Sequence, residues 1–182
     1  MSVVVIGAGL SGLSAACHLI GRGHEVTLVN RGRTNPDLFP EVEKLRGDRE
    51  AGDLGDLGGR RWAAAIDTSG YVPRVVRESA ELLAGAVEHY TFVSSLSVFT
   101  PPAKQRLTER DPVTPLRDPG SENVQEHYGP LKAVCERVVE EVFPGRALNL
   151  RSGLLIGPHD PTNRFDYWAR RVARGGDVLA PD

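Results

Sequence analysis

Val3-Val4-Val5-Ile6-Gly7-Ala8-Gly9-Leu10-Ser11-Gly12 decides the fold. Four successive apolar residues, all β-branched, mark a strand buried on both faces of a parallel sheet. The glycines that follow at once mark a tight turn. From Ser11 to Arg22, Leu13, Ala16, Cys17 and Ile20 recur at helical spacing, and Gly21 and Gly23 close the helix. Glu25 to Asn30 reads as a second strand. Strand, glycine turn, helix and strand within about 30 residues make one βαβ unit.

The turn itself is a G-x-G-x-x-G pattern. Gly7 permits the sharp bend, Gly9 lets the backbone approach a pyrophosphate, and Gly12 allows close packing of helix on strand. Leu10 and Ser11 lie between the last two glycines, where the helix offers free N–H groups and a positive dipole end to phosphates. In a chain with 20 glycines the spacing alone carries little weight, but it follows a buried strand and opens a helix, the context a dinucleotide site requires. At the end of the second strand, where an acid would grip ribose hydroxyls, the chain has Asn30-Arg31-Gly32-Arg33. Two guanidinium groups there favour the 2′-phosphate of NADP over NAD, the other reading being ordinary solvated surface. Asp48, in a Gly47-Asp48 turn, is placed to accept from an adenine amino group or to serve as a plain turn carboxylate.

The same rhythm continues. Val42 to Leu45 is a weak third strand and Ala63 to Asp67 a fourth, Val72 to Ala86 reads as helix, and His89 to Ser94 is a fifth strand crowded with aromatic and β-branched residues. A loop rich in proline and charge spans Thr100 to Ser121. Tyr128 to Phe143 carries a helical stripe, and Arg146 to Leu150 gives a sixth strand. Beyond a loop at Gly157 to Thr162, Asn163 to Arg174 places Phe165, Trp168, Ala169 and Val172 on one helical face. Strands alternating with helices imply a Rossmann-type, doubly wound parallel α/β sheet of six strands, one domain over residues 1–182.

Ligands of open α/β sheets sit beyond the carboxyl ends of the strands, which is where Ser94-Ser95 falls. Tyr128 and Lys132 are four residues apart at a helix start and so share one face, with Pro130 tolerated in the first turn. A phenol acting near neutrality must fall by about three pKa units, roughly 4 kcal/mol of phenolate stabilisation. A lysine ammonium one turn away supplies part of that. Tyr128 would pass a proton to or from a substrate oxygen, Ser95 would hydrogen-bond that oxygen, and Lys132 would also reach the cofactor ribose.

With Ser95, Tyr128 and Lys132 in this order, and with VTLVNRGRT, IDTSGY, FVSSLSVF and RSGLLIGPHD along the chain, the sequence resembles the short-chain dehydrogenase/reductase superfamily. The resemblance is to its extended or atypical branch, the NAD-dependent epimerase/dehydratase family, and covers about residues 24 to 182. It implies that Ser69 and Gly70 lie near the cofactor and that the segment after Arg151 borders the nicotinamide; Ser152 stands where the family commonly has proline. It also implies further strands and a substrate-covering region beyond a point at which this chain stops, so the chain is expected to be C-terminally short, a poor catalyst by itself and prone to self-association. The opening GAGLSGLSAACHLIGRGHEVTLV is instead similar to FAD-dependent amine oxidases and carotenoid desaturases. FAD is therefore a minority alternative, since such an enzyme would need an acid where Asn30 stands and a much longer chain.

Composition narrows the rest. A net charge of -2, with scattered arginines offset by 24 acids, argues against nucleic acid. Apolar runs are too short for a bilayer and no basic segment precedes them as a signal peptide would need, so a cytoplasmic protein is expected. The two cysteines and five histidines show no ligand spacing, and no metal is expected. The leading reading is an NAD(P)-dependent oxidoreductase or epimerase/dehydratase acting on a hydroxyl or carbonyl carbon of a small metabolite, of which a nucleotide-sugar is one candidate. The alternatives are a non-catalytic NAD(P)-binding or sensing module and the FAD-binding part of a flavoprotein.

Overall fold

β1 (Ser2–Ile6) takes the centre of the sheet because Val3 to Ile6 have apolar atoms to bury on both faces. It pairs in parallel with β2 (Glu25–Asn30) on one side and β4 (Trp62–Asp67) on the other. With β3 (Glu43–Arg46), β5 (Val87–Ser95) and β6 (Ala147–Ser152) the order is β3-β2-β1-β4-β5-β6, all parallel. The computed structural model describes residues 1–33, 36–99, 106–158, 160 and 162–179. Residues 100–105 of the expected Thr100 to Ser121 loop, and His159 and Pro161, lie outside them.

α1 (Leu10–Gly21) lays Leu13 and Ala16 on one face of the sheet. α2 (Pro73–Leu83) and α3 (Val124–Val142) cover the other, with Val76, Ala80 and Leu83 of α2 and Cys135, Val138 and Val139 of α3 meeting Tyr90 and Phe92 of β5. Strict alternation of strand and helix fails at β3. The connections into and out of it hold no α-helix among the described residues, only the 3-10 turns Arg49–Ala51 and Gly55–Leu57, and Leu54 and Leu57 bury themselves in the core instead. The helix expected to reach Ala86 stops at Leu83.

α3 starts four residues before Tyr128 and breaks at His127 (φ -119°, ψ 29°). The break explains Pro130 inside the helix. A proline ring clashes with the carbonyl four residues back, and the kink just before Tyr128 moves that carbonyl aside.

β6 is an edge strand. Leu148 and Leu150, on the face that α3 does not cover, are 49% and 50% exposed. α4 (Arg164–Ala173) likewise leaves Phe165, Trp168 and Val172 exposed at helical spacing.

Candidate functional site

Parallel strands bring their carboxyl ends to one edge: Gly7 to Gly12 follow β1, Asn30 ends β2 with Arg31 and Arg33 after it, Asp48 follows β3, Ser69 and Gly70 follow β4, Ser95 ends β5, and Tyr128 and Lys132 stand on α3. Gly7 adopts φ +95°, and its N–H donates to Val29 O at 2.8 Å. A Cβ on Gly12 would overlap Gly7 O, so helix and turn touch as the glycine pattern implies. Gly9 is different: a Cβ there would meet nothing within 4 Å. The start of α1 has neither a side-chain cap nor an acid in its first turn, so the helix itself supplies no side-chain partner to its first N–H groups.

At the end of β2, Asn30 Oδ1 accepts from Gly32 N–H at 2.6 Å and holds Gly32 at φ +66°. The two expected phosphate-reading arginines have carboxylate neighbours: Arg31 lies 4.0 Å from Glu50, and Arg33 lies 3.8 Å from Asp48. Asp48 also caps the Arg49–Ala51 turn by accepting from Glu50 N–H at 3.2 Å. The turn role foreseen for it is realised, and its second oxygen faces Arg33.

Arg49, the next residue, was not legible as a site residue. Its guanidinium enters the protein and grips Asp67 at 2.7 and 2.9 Å, with Ser79 Oγ at 2.5 Å and Ser69 Oγ at 3.4 Å. Tyr90 OH donates to the same carboxylate at 2.9 Å. Burial pushes the Asp67 carboxyl up, but the adjoining Arg49 charge and these hydrogen bonds outweigh it and hold the group below the ordinary carboxylate value. Burial and the Asp67 charge push the Tyr90 phenol well up, so it acts there as a donor.

Ser69 lies directly against Gly7, as a Cβ on Gly7 would come 2.7 Å from Ser69 Cβ. Thr68 Oγ1 donates to Ile6 O at 3.0 Å and fixes the same crossing. Gly70 has no room for a side chain, because Phe92 and Val76 would stand 2.6 Å from its Cβ. Its carbonyl accepts from Lys132 Nζ at 2.8 Å.

Lys132 is buried. Its ammonium also donates to Val93 O at 2.7 Å and lies 4.0 Å above the Phe92 ring. Burial pulls its pKa down from 10.5 to about 8. Two of three N–H donors are committed to main chain, which leaves one for a ligand. Tyr128 is half-buried one turn earlier, its ring 6.3 Å from that of Tyr71, which also lies 5.6 Å from Lys132 Nζ. Burial, and then the neighbouring Tyr128, push the Tyr71 phenol up. Ser95 ends β5 and caps the turn Leu96–Val98, accepting from Ser97 N–H at 3.1 Å. That turn meets α3 so closely that a Cβ on Gly129 would overlap Ser97 O. Ser95 and Tyr128 are thus carried by two segments in backbone contact. Tyr71 gave no signal in the sequence, since its neighbours lie far along the chain.

Arg151 does not stand free at the end of β6. It pairs with the buried Glu136 at 2.7 Å, donates to Glu109 O at 3.0 Å and stacks over Phe99 at 4.9 Å. Among the described residues no group of His, Cys, Asp or Glu could hold a metal ion, and no helix is long and apolar enough to cross a membrane. Cys17 and Cys135 are free thiols, and burial pushes the Cys135 thiol up to about 12.

The model of one family, described as FAD dependent oxidoreductase, matches residues 2–35. No curated protein matches the chain in sequence. Among solved structures it is similar to a UDP-galactose 4-epimerase (TM-score 0.74, 20% identity), covering 98% of this chain and 65% of that one. The WbmG enzyme of Bordetella bronchiseptica in complex with NAD and UDP has TM-score 0.74 at 16% identity over 97% of this chain and 61% of that one. MoeE5 in complex with UDP-glucose and NAD has TM-score 0.65 at 23% identity over 91% of this chain and 58% of that one. The chain therefore spans 58% to 65% of the length of these proteins. At such identities the likeness shows the fold: a six-stranded Rossmann-type sheet.

Proposed function

We propose that the chain is the cofactor-binding part of an NAD(P)-dependent oxidoreductase or epimerase/dehydratase acting on a hydroxyl or carbonyl carbon of a small metabolite, with a nucleotide-sugar as the first substrate class to test. One observation carries the reading. Lys132, buried between Gly70 and Val93, sits one helical turn from Tyr128 at the strand edge where the glycine turn opens its free N–H groups. The solved structures with NAD bound have the same fold, which makes a dinucleotide the natural occupant of that edge.

The residues present fit such a cofactor. Gly9 leaves the room a pyrophosphate needs, and the first turn of α1 offers unpaired N–H groups to it. The nicotinamide supplies hydride transfer when bound. Tyr128 passes the proton to or from the substrate oxygen, and Ser95 orients that oxygen by a hydrogen bond. Lys132 contributes the positive charge that stabilises a phenolate and spends its third N–H on the ribose or on Tyr128. Asn30 in place of an acid, with Arg31 and Arg33 beyond it, favours NADP over NAD.

A second reading, a cofactor-binding module without turnover, draws on the same lysine, since two main-chain carbonyls already hold its ammonium. Incubation with NADP+ or NAD+ and a panel of UDP-sugars separates the two. Under the catalytic reading at least one sugar is converted, read as growing nicotinamide absorbance for net oxidation and as a new sugar product by NMR for redox-neutral epimerisation or dehydration; flat absorbance and no new product with all of them, in a chain shown to bind the cofactor, favour the module.

A further inference from the structure

We propose that Arg46, the last residue of β3, is the guanidinium that reads a 2′-phosphate on the adenosine ribose. The inference rests on the NADP preference above and moves the specificity from the loop arginines to a residue on a neighbouring strand.

Arg46 and Asn30 are register partners at the ends of β3 and β2, so Arg46 shares the strand edge where the adenosine ribose of a Rossmann site lies. Its side chain lies against Gly32, two residues past the end of β2: a Cβ on Gly32 would overlap the Arg46 guanidinium. Glycine at that position therefore clears the path for the fork, and the Asn30 turn that holds it at φ +66° keeps the path clear. A small depression at this corner has Leu13, Leu28 and Leu38 in its lining together with Gly32, Lys44 and Arg46.

Charge decides between the candidates. Arg31 faces Glu50 at 4.0 Å and Arg33 faces Asp48 at 3.8 Å, so each already has a carboxylate beside it. Lys44 donates to Pro36 O at 3.0 Å and anchors the loop. Arg46 is exposed and, among the described residues, has no carboxylate within ion-pair distance. Of Arg31, Arg33 and Arg46 it is, among the described residues, the guanidinium without a carboxylate beside it, while the Lys44 ammonium is tied to the Pro36 carbonyl. A phosphate monoester carries close to two negative charges and three acceptor oxygens, which a planar guanidinium meets with two parallel N–H bonds. Arg31 and Arg33 would add long-range attraction, screened by solvent and by their acids.

The test uses adenosine 2′,5′-bisphosphate and 5′-AMP, which differ only in the 2′-phosphate, titrated calorimetrically into the whole chain. The wild type prefers the bisphosphate. Arg46→Ala should weaken the bisphosphate by about 10- to 100-fold, the size of a lost charged hydrogen bond, while 5′-AMP binds as before. Arg46→Lys should recover part of the loss, and Arg31→Ala and Arg33→Ala should each cost less than Arg46→Ala. A preference retained in Arg46→Ala overturns the assignment and leaves the NADP reading standing. Equal weakening of both nucleotides in that variant also overturns it, because the loss then does not concern the 2′-phosphate. A wild type that binds both alike overturns the NADP preference itself, and the role of Arg46 with it.

Discussion

Arg49 and Asp67 form a two-point ion pair, Nη1 to Oδ1 at 2.7 Å and Nη2 to Oδ2 at 2.9 Å, around a carboxylate with no solvent exposure. It ties the turn after β3, which carries Asp48, to the segment after β4, whose Ser69 lies against Gly7 and whose Gly70 carbonyl accepts from Lys132. The two halves of the candidate cofactor edge are joined beneath the surface by this pair.

Asp67→Asn leaves Arg49 buried without its counter-charge and should cost about 3–5 kcal/mol in urea unfolding. The pH dependence has a definite sign. Because the folded-state carboxyl lies below its ordinary value, its contribution is complete above pH of about 4 and is lost as pH falls through the lower folded value. The variant should lack that acid limb. A variant as stable as the wild type would mean that the pair is not formed.

Gly9 and Gly12 should separate binding from folding. Gly12→Ala drives a Cβ into Gly7 O, a backbone atom that cannot step aside, and should destabilise the chain by at least about 1–3 kcal/mol. Gly9→Ala meets open space at φ -78° and should leave the unfolding midpoint where it is, yet weaken NADPH, because its methyl stands where the pyrophosphate approaches. Unchanged NADPH affinity in Gly9→Ala would remove the phosphates from this turn.

Lys132 should titrate near pH 8 in a lysine side-chain NMR titration. Since its folded value lies below the unfolded one, the unfolded chain holds more protons between about pH 8 and 10.4, and stability should rise with pH across that window. Catalysis that uses its positive charge should fall over the same range. Lys132→Met should abolish both trends; a lysine signal at the ordinary value would contradict the burial seen here.

Tyr128→Phe removes the proposed proton donor and keeps the ring beside Tyr71. With a turned-over sugar substrate the rate should fall by on the order of 10²- to 10⁴-fold while NADPH affinity stays. Lys132→Ala should harm both. An unaltered rate in Tyr128→Phe would transfer the proton step to another group, with Tyr71 the nearest phenol.

Much of this was legible in the sequence where a signal was local. The run Val3 to Ile6, the three glycines after it and the stripe of α3 each depend on residues close in the chain, and strands and helices fell within a few residues of their places. What stayed hidden depends on long-range pairing. Arg49 reads as one more surface arginine until β4 brings Asp67 to it from 18 positions away. Arg46 falls just past the expected strand Val42 to Leu45 and gives no signal until its register with Asn30 carries it over Gly32. The connections around β3 carried no element signal for a physical reason: Leu54 and Leu57 cover the sheet without a helical repeat, so no periodicity marks their burial.

Calorimetric titration of the whole chain with NADPH, NADH and FAD tests the central claim most directly. NADPH should bind most tightly, NADH more weakly and FAD not at all, with Gly9→Ala reducing the heat of the first two. Binding of FAD alone, or of none of the three, would contradict the account.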